Sequence, residues 1–231
     1  MSVATIEEHT LLTRPLGPEA VVLDPGANVG AFSAAVARRF GCRCHAVEPS
    51  PTLSAQIPTH PLIRVHQHAM GGERGEAALY VSTDPLGSSL HPTEALEYSG
   101  TLTVPVETLG GLMEREGLDR VDLVKADIEG AEIPMFDACS DDDLQRIDQF
   151  TIEFHDFNGT TPEADVLRVL DRLRGLGFAV YRKARFAHFD VLALHPGRLG
   201  VSAAELAWIR TGRHYLTGVG RLLKKSVGAG R

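Results

Sequence analysis

Val21-Val22-Leu23-Asp24-Pro25-Gly26-Ala27-Asn28-Val29-Gly30-Ala31-Phe32-Ser33 runs from an apolar stretch, through two glycines, into a segment of helical composition. The apolar run reads as a buried strand. Gly26 and Gly30 permit a tight turn and let a ligand approach the backbone closely. Glu48 closes the next strand, where a carboxylate can accept both hydrogen bonds from a ribose diol. A strand–glycine loop–helix followed by an acidic strand end predicts an α/β sheet that binds a nucleoside cofactor.

Further strands are expected at Ile63–Ala69, Val121–Asp127, Gln149–His155, Phe178–Arg185 and His188–Leu194, beside Ala20–Asp24 and Arg43–Glu48. They are short, β-branched and apolar, as strands covered on both faces should be. Helical stretches separate most of them. The clearest is Pro162–Arg174, with Thr161 as N-cap and an apolar stripe of Val166, Leu167, Val169, Leu170 and Leu173; Gly175 or Gly177 stops it. This alternation predicts a mostly parallel seven-stranded sheet with right-handed crossovers. Only a few residues around Arg185–Ala187 join the last two strands, too few for a crossover, so the last strand must run antiparallel. An insertion at residues 71–108 carries alternating pieces, Ala77–Ser82 and Thr101–Val106, that suggest a hairpin.

Which nucleoside cofactor would this loop take? A dinucleotide fold wants G-x-G-x-x-G, so that a pyrophosphate can rest on the helix N-terminus. Here the pattern is G-x-N-x-G with Asp24 before it. That acid repels a pyrophosphate but can receive an ammonium, directly or through water. The loop therefore favours S-adenosylmethionine over NAD.

Val121-Asp122-Leu123-Val124-Lys125-Ala126-Asp127-Ile128-Glu129-Gly130-Ala131-Glu132 leaves the fourth strand at its carboxyl end, where open α/β sheets place ligands. The fifth strand delivers Glu153-Phe154-His155 at the neighbouring edge. A histidine there can take a hydroxyl proton near neutral pH, so His155 or Asp127 is the expected base, with Glu129 orienting an acceptor. Lys125 would neutralise nearby acids, and Ser88 and Ser89 would reach the cofactor carboxylate or the acceptor. More ordinary roles compete: Asp127 as a helix N-cap, His155 as a structural imidazole. Asp127, Glu129, Glu153 and His155 would also suit a divalent metal. No metal is favoured, and His66 and His68 are read as structural.

Taken in order, "DPGANVGAFS", "AVEPSP", "GERGEAALYVS", "VKADIEGAE" and "TIEFH" resemble the FkbM-type S-adenosylmethionine-dependent methyltransferases over about residues 15–195. The resemblance implies the Rossmann-like class I methyltransferase fold. It also implies methyl transfer to a hydroxyl of a sugar or natural product, as in the tailoring steps of biosynthesis. By position it implies that Asp24, Gly26, Asn28 and Gly30 cradle the methionine part and Glu48 the ribose. Ala69 and Met70 would lie by the adenine, and Asp127 would face the sulfonium. Two positions depart from the family pattern. Pro25 stands where an aliphatic residue is usual, and Leu109-Gly110-Gly111-Leu112 lacks a common aspartate.

The 231 residues carry a net charge of −7, but the charge is divided. Residues 205–231 hold Arg210, Arg213, Arg221, Lys224, Lys225 and Arg231 against Glu205 alone, and everything before them is strongly acidic. An acidic body argues against nucleic acid as partner, and the [DNS]-P-P-[FYW] signature of base methylation is absent. The competing functions are a catalytically inactive binding protein that keeps the cofactor fold, and a methyltransferase acting on nitrogen or nucleic acid. Cys42, Cys44 and Cys139 read as free thiols of a cytoplasmic protein. No apolar run reaches the length of a membrane span, and the N-terminus lacks the pattern of a secretory signal. Residues 1–200 are expected to form the catalytic domain and 201–231 a basic helical tail. Ser202 and Glu205 would start that tail with a capping box. Packing on the acidic body or on a second subunit is the leading role for it, which makes a homo-oligomer an expectation.

Overall fold

The structure is a computed structural model that describes residues 3–83, 88–92, 97–158, 161–183 and 188–210. It begins with a hairpin that sequence reasoning does not find. Strands β1 (Val3–Ile6) and β2 (His9–Leu12) pair antiparallel across Glu7 and Glu8, which hold φ of 42° and 68°. All four residues of β2 are buried, so it shows no polar/apolar alternation to read.

Strand β3 (Val21–Pro25) then leads through the glycine loop to α1 (Ala31–Phe40), β4 (Arg43–Val47), α2 (Pro51–Ser54) and β5 (Ile63–His66). The insertion contributes β6 (Ala69–Met70), β7 (Gly75–Ser82) and β8 (Tyr98–Glu107). After it come α3 (Leu109–Arg115), β9 (Leu123–Ala126), α4 (Glu132–Ala138), α5 (Asp141–Gln145) and β10 (Gln149–Ile152). A 3-10 turn at His155–Asn158 precedes α6 (Glu163–Gly175), β11 (Ala179–Arg182), β12 (Val191–Leu194) and α7 (Pro196–Leu199). A last helix, α8, spans 203–210.

Seven strands form the main sheet in the order β11-β12-β10-β9-β3-β4-β5. Strand β12 is antiparallel to both neighbours, and the other pairings are parallel, as the short connection before it requires. The chain direction across the sheet reverses between β3 and β9, and such a switch point opens a ligand crevice at the carboxyl ends of the strands. One face is covered by α3, α4 and α6, with Met113, Phe136, Phe150 and Leu170 in its core. The other is covered by α1 and the hairpin, through Phe32, Val36, Ile6 and Leu11. Burial on both faces explains why the central strands are apolar throughout.

Three local expectations change. The third strand does not run from Ile63 to Ala69: the amide of His68 turns back onto the His66 carbonyl at 3.1 Å. Ala69 and Met70 then join β8 and β7 in a separate three-stranded sheet. Helix α6 starts one residue late, with Pro162 rather than Thr161 at its N-cap. Leu167 is 39% exposed, because the buried positions Val166, Val169, Leu170 and Leu173 define a face that excludes it.

The capping box is present: Ser202 donates from N and Oγ to Glu205 Oε2 at 2.8 and 3.0 Å, and the Glu205 amide returns to Ser202 Oγ. Ile209 of α8 is buried with Leu12, Leu192 and Leu194, so this helix packs on the body. Residues 211–231, with every basic tail residue except Arg210, lie outside the described residues. The three cysteines are free and buried. No helix among the described residues is long and apolar enough to cross a membrane.

Candidate active site

The turn after β3 holds Gly26 and Gly30 at φ of 76° and Asn28 at 51°. A Cβ on Gly26 would overlap the Asp127 carbonyl, and one on Gly30 would come within 2.7 Å of the Ile57 side chain. Both positions thus need glycine for space as well as for conformation. The amides of Gly26 and Ala27 donate to the Val47 carbonyl at 3.0 Å, which ties the loop to the end of β4. Glu48 follows directly, nearly buried. Its Oε2 accepts from the Asn28 amide at 2.9 Å and its Oε1 from the Ser50 amide at 2.8 Å. Burial raises its pKa against those two hydrogen bonds. Each oxygen keeps a lone pair for a further donor.

Beneath the loop, Lys125 bridges the ends of β3 and β9. Its ammonium donates to the Gly26 carbonyl at 2.6 Å and stands 3.3 Å from Asp24 Oδ1 and 3.5 Å from Asp127 Oδ2. Asp24 is fully buried and also accepts from Ser33 Oγ at 2.7 Å; its Oδ1 has no hydrogen bond. Burial works against the charge on Lys125, but Asp127 and Asp24 outweigh it and raise its pKa.

Asp127 is held from three sides. Besides Lys125, His9 Nε2 lies 3.6 Å from Oδ2 and His155 Nε2 lies 3.7 Å from Oδ1. Burial would raise its pKa, yet the Lys125 ammonium, with His9 and His155 beside it, holds it well below the usual carboxylate range. His155 in turn sits between Glu129, 3.2 Å from Nε2, and the fully buried Glu132, 3.0 Å from Nδ1. Burial disfavours its charge, but the two glutamates push the imidazole up to about 11. At neutral pH both groups therefore stand charged. An imidazolium has no lone pair for a proton, and so acidic a carboxyl holds one poorly. Glu153 differs: burial and the charge of Asp127 push it up to about 7.

A cavity of about 340 Å³ opens over these groups, in the size range of small-molecule sites. Of the residues expected from sequence, Gly26, Asn28, Glu48, Ala69, Met70, Asp127 and Glu129 line it. Asp24, Gly30 and His155 do not; they stand behind the wall and hold it in place. Ser88 and Ser89 also line it, but their hydroxyls are engaged, Ser88 by the Ser82 amide and Ser89 by the Glu129 carbonyl. Sequence reasoning misses Glu7, Glu8 and His9, which line the cavity from the hairpin. A lone histidine in an unrecognised strand carries no signal.

His66 and His68 lie away from the cavity. His66 meets His45 ring to ring at 3.0 Å, and both face Glu116, whose carboxylate is taken by Arg64 at 2.6 Å. Burial pushes His66 down to about 3. Arg115 donates to His68 at 2.7 Å. These contacts account for the cluster as a packed polar edge.

The wall's chemistry can be tested against a cofactor. Among the described residues six carboxylates line the cavity (Glu7, Glu8, Glu48, Asp127, Glu129 and Glu153) against one lysine, and that lysine is spent on Asp24 and Asp127. Such a wall repels a pyrophosphate and suits a ligand with an ammonium, a sulfonium and a ribose. The residues present therefore fit S-adenosylmethionine.

Residues 24–180 match the methyltransferase FkbM domain. The chain is 31% identical to the 31-O-demethyl-FK506 methyltransferase FkbM of Streptomyces tacrolimicus, over 71% of this chain and 75% of that protein. It is 27% identical to Methyltransferase 1 of Beauveria bassiana, over 72% of this chain and 75% of the relative. Among solved structures it is similar to a precorrin-6y C5,15-methyltransferase from Geobacter metallireducens, with a TM-score of 0.43 and 14% identity over 78% of this chain and 82% of that one.

Proposed function

Since the chain belongs to the FkbM methyltransferase family, we propose that it methylates a hydroxyl of a small molecule, a sugar or a natural product, with S-adenosylmethionine as donor. The observation that carries this reading is the carboxylate-rich cavity at the β3/β9 switch point, with Glu48 at its edge. The 31-O-demethyl-FK506 methyltransferase, by its name, acts on a natural product, which supports the choice of acceptor.

When bound, the donor supplies an electrophilic methyl carbon on a good leaving group, so the protein's tasks are to position the acceptor and remove its proton. Glu48 is free to take both ribose hydroxyls through its remaining lone pairs. Asp127, kept ionised by Lys125, His9 and His155, is a fixed negative charge facing the sulfonium side. Glu129 orients the acceptor and is itself steadied by His155 and, through its carbonyl, by Ser89. His155, expected from sequence as a candidate base, serves here as a cation that helps keep Asp127 ionised and holds Glu129 in place. Among the described residues the basic tail adds nothing to the cavity.

Calorimetry with S-adenosylmethionine and with NAD tests the cofactor, and the former alone should bind. Release of S-adenosylhomocysteine with 31-O-demethyl-FK506 and with a set of methyl glycosides tests the acceptor. Failure to bind S-adenosylmethionine would sink the reading. Binding with no turnover on any acceptor would favour a non-catalytic cofactor-fold protein, and transfer only to amines would move the reaction to nitrogen.

A further inference from the structure

We propose that Glu153 is the catalytic base of this site, taking the acceptor's hydroxyl proton as the methyl group is transferred. This rests on the methyltransferase reading and adds a residue to it. Most other carboxylates of the cavity are already engaged. Glu48 holds two backbone amides. Asp127 is surrounded by Lys125, His9 and His155, and Glu129 is paired with His155. Glu7 and Glu8 sit exposed on the hairpin turn at the rim. Glu153 is the half-buried wall carboxylate for which the described residues provide neither a hydrogen bond nor an ion pair. A proton acceptor needs a lone pair that nothing else occupies.

Its position suits the task. The Glu153 amide donates to the Ala126 carbonyl at 2.9 Å, which sets the residue level with the end of β9. Its carboxylate, the His9 imidazole and Asp127 come within 4.8 Å of one another. The groups that face it are therefore Asp127, Glu129 and Lys125 from β9 and its exit, His155 from its own segment, and His9 from β2. Asp127 and Glu129 raise its proton affinity, while His155 and Lys125 lower it. The result is a carboxyl poised near neutrality beside one, Asp127, that is always charged. Neighbouring carboxyls with proton affinities pushed apart in this way are a recurring acid/base arrangement.

The step balances. The acceptor oxygen forms a bond to the methyl carbon, and the carbon–sulfur bond breaks with its electron pair going to sulfur. The O–H proton passes to the Glu153 carboxylate. The sulfonium becomes a neutral thioether, Glu153 becomes a neutral acid, and it then releases its proton to solvent.

The test compares the full chain with Glu153→Gln and Glu153→Asp. NMR of protein labelled with carbon-13 at the glutamate carboxyls, with S-adenosylhomocysteine present, should show one group titrating near pH 7 that is missing from Glu153→Gln. S-adenosylmethionine should bind the variants within about threefold of wild type by calorimetry, because the residue acts on the acceptor. With the acceptor that turns over, kcat should fall about 100-fold or more in Glu153→Gln and recover partly in Glu153→Asp. Wild-type kcat should climb with pH to a plateau above about 7. Four results would each overturn the proposal and leave the methyltransferase reading standing: a Glu153 carboxyl that titrates in the ordinary range, unchanged turnover in Glu153→Gln, loss of cofactor binding in that variant, or turnover abolished by a chelator and restored by Mg²⁺. Absence of S-adenosylmethionine binding in the wild type would instead remove the reading on which the proposal rests.

Discussion

Lys125 holds a buried position with two carboxylates and a carbonyl around one ammonium, and its removal separates its structural from its chemical share. Lys125→Met keeps the length and strands the fully buried Asp24 without its cation, while Asp127 keeps only its histidine neighbours. Breaking a buried ion pair from one side costs about 3–5 kcal/mol, so urea unfolding should show a drop of that order. An unchanged midpoint would mean that water reaches these acids. Glu48 offers the complementary case. Glu48→Gln preserves the shape, but its NH₂ must face one of the two amides that now donate to the carboxylate. The loss of charge-assisted hydrogen bonds, about 1.5–3 kcal/mol each, should weaken S-adenosylmethionine at least roughly tenfold by calorimetry. These residues were legible because glycine spacing and a strand-ending acid carry their physics locally. His9 and Glu132 were not: the position of one depends on a hairpin and the role of the other on a histidine far along the chain.

That hairpin shows where reading by element stops. The main-sheet strands announce themselves through apolar runs, and the antiparallel last strand follows from a connection too short to cross over. Strand β2 is held instead by side chains from distant sequence. Gln149, fully buried, accepts from the Leu12 amide and donates to the Leu12 carbonyl, both at 2.9 Å, as a neighbouring strand would. Asp190 takes the Thr10 amide at 2.9 Å and its hydroxyl at 2.7 Å. No local pattern can signal a pairing made by one glutamine. Gln149→Leu would leave a donor and an acceptor of Leu12 unsatisfied at about 1–3 kcal/mol apiece. Stability should fall by about 2–6 kcal/mol for the two together, and backbone amides of β2 should exchange faster than those of β3. If exchange in β2 is unaffected, the glutamine is not what docks the hairpin. Since β2 carries His9, the same variant should also disturb the Asp127 side of the cavity. The break in the third strand is a milder case of the same limit: composition runs on through residue 69, while the partner strand changes.

For the whole molecule, the acidic balance of the body has a direct consequence in how stability follows pH. Glu153 is raised from 4.5 to about 7 on folding, so the folded protein keeps a proton that the unfolded chain has lost. Stability then falls as pH climbs through that window and stays lower above it. His155 is raised from 6.5 to about 11: its contribution is complete below 6.5 and is lost as pH rises toward 11. Asp127, depressed below 3.8, acts at the other end, contributing above that value and losing its share as pH falls below it. His66, lowered from 6.5 to about 3, runs opposite to Glu153 and loses its share as pH falls below 6.5, so the two offset each other between about 4.5 and 6.5 and the four windows leave maximum stability there. The melting temperature should therefore peak there and decline toward pH 8, by about 2–4 °C for each kcal/mol lost in a chain of this size. Glu153→Gln carries no titrating group at that position, so its stability should climb with pH between about 4.5 and 6.5, where wild type stays level, and keep the decline above about 7. Differential scanning calorimetry of the two proteins across this range decides the matter. Equal slopes below neutrality would mean that Glu153 ionises as any surface glutamate does, and the charge arrangement assigned to the cavity would have to be withdrawn with it.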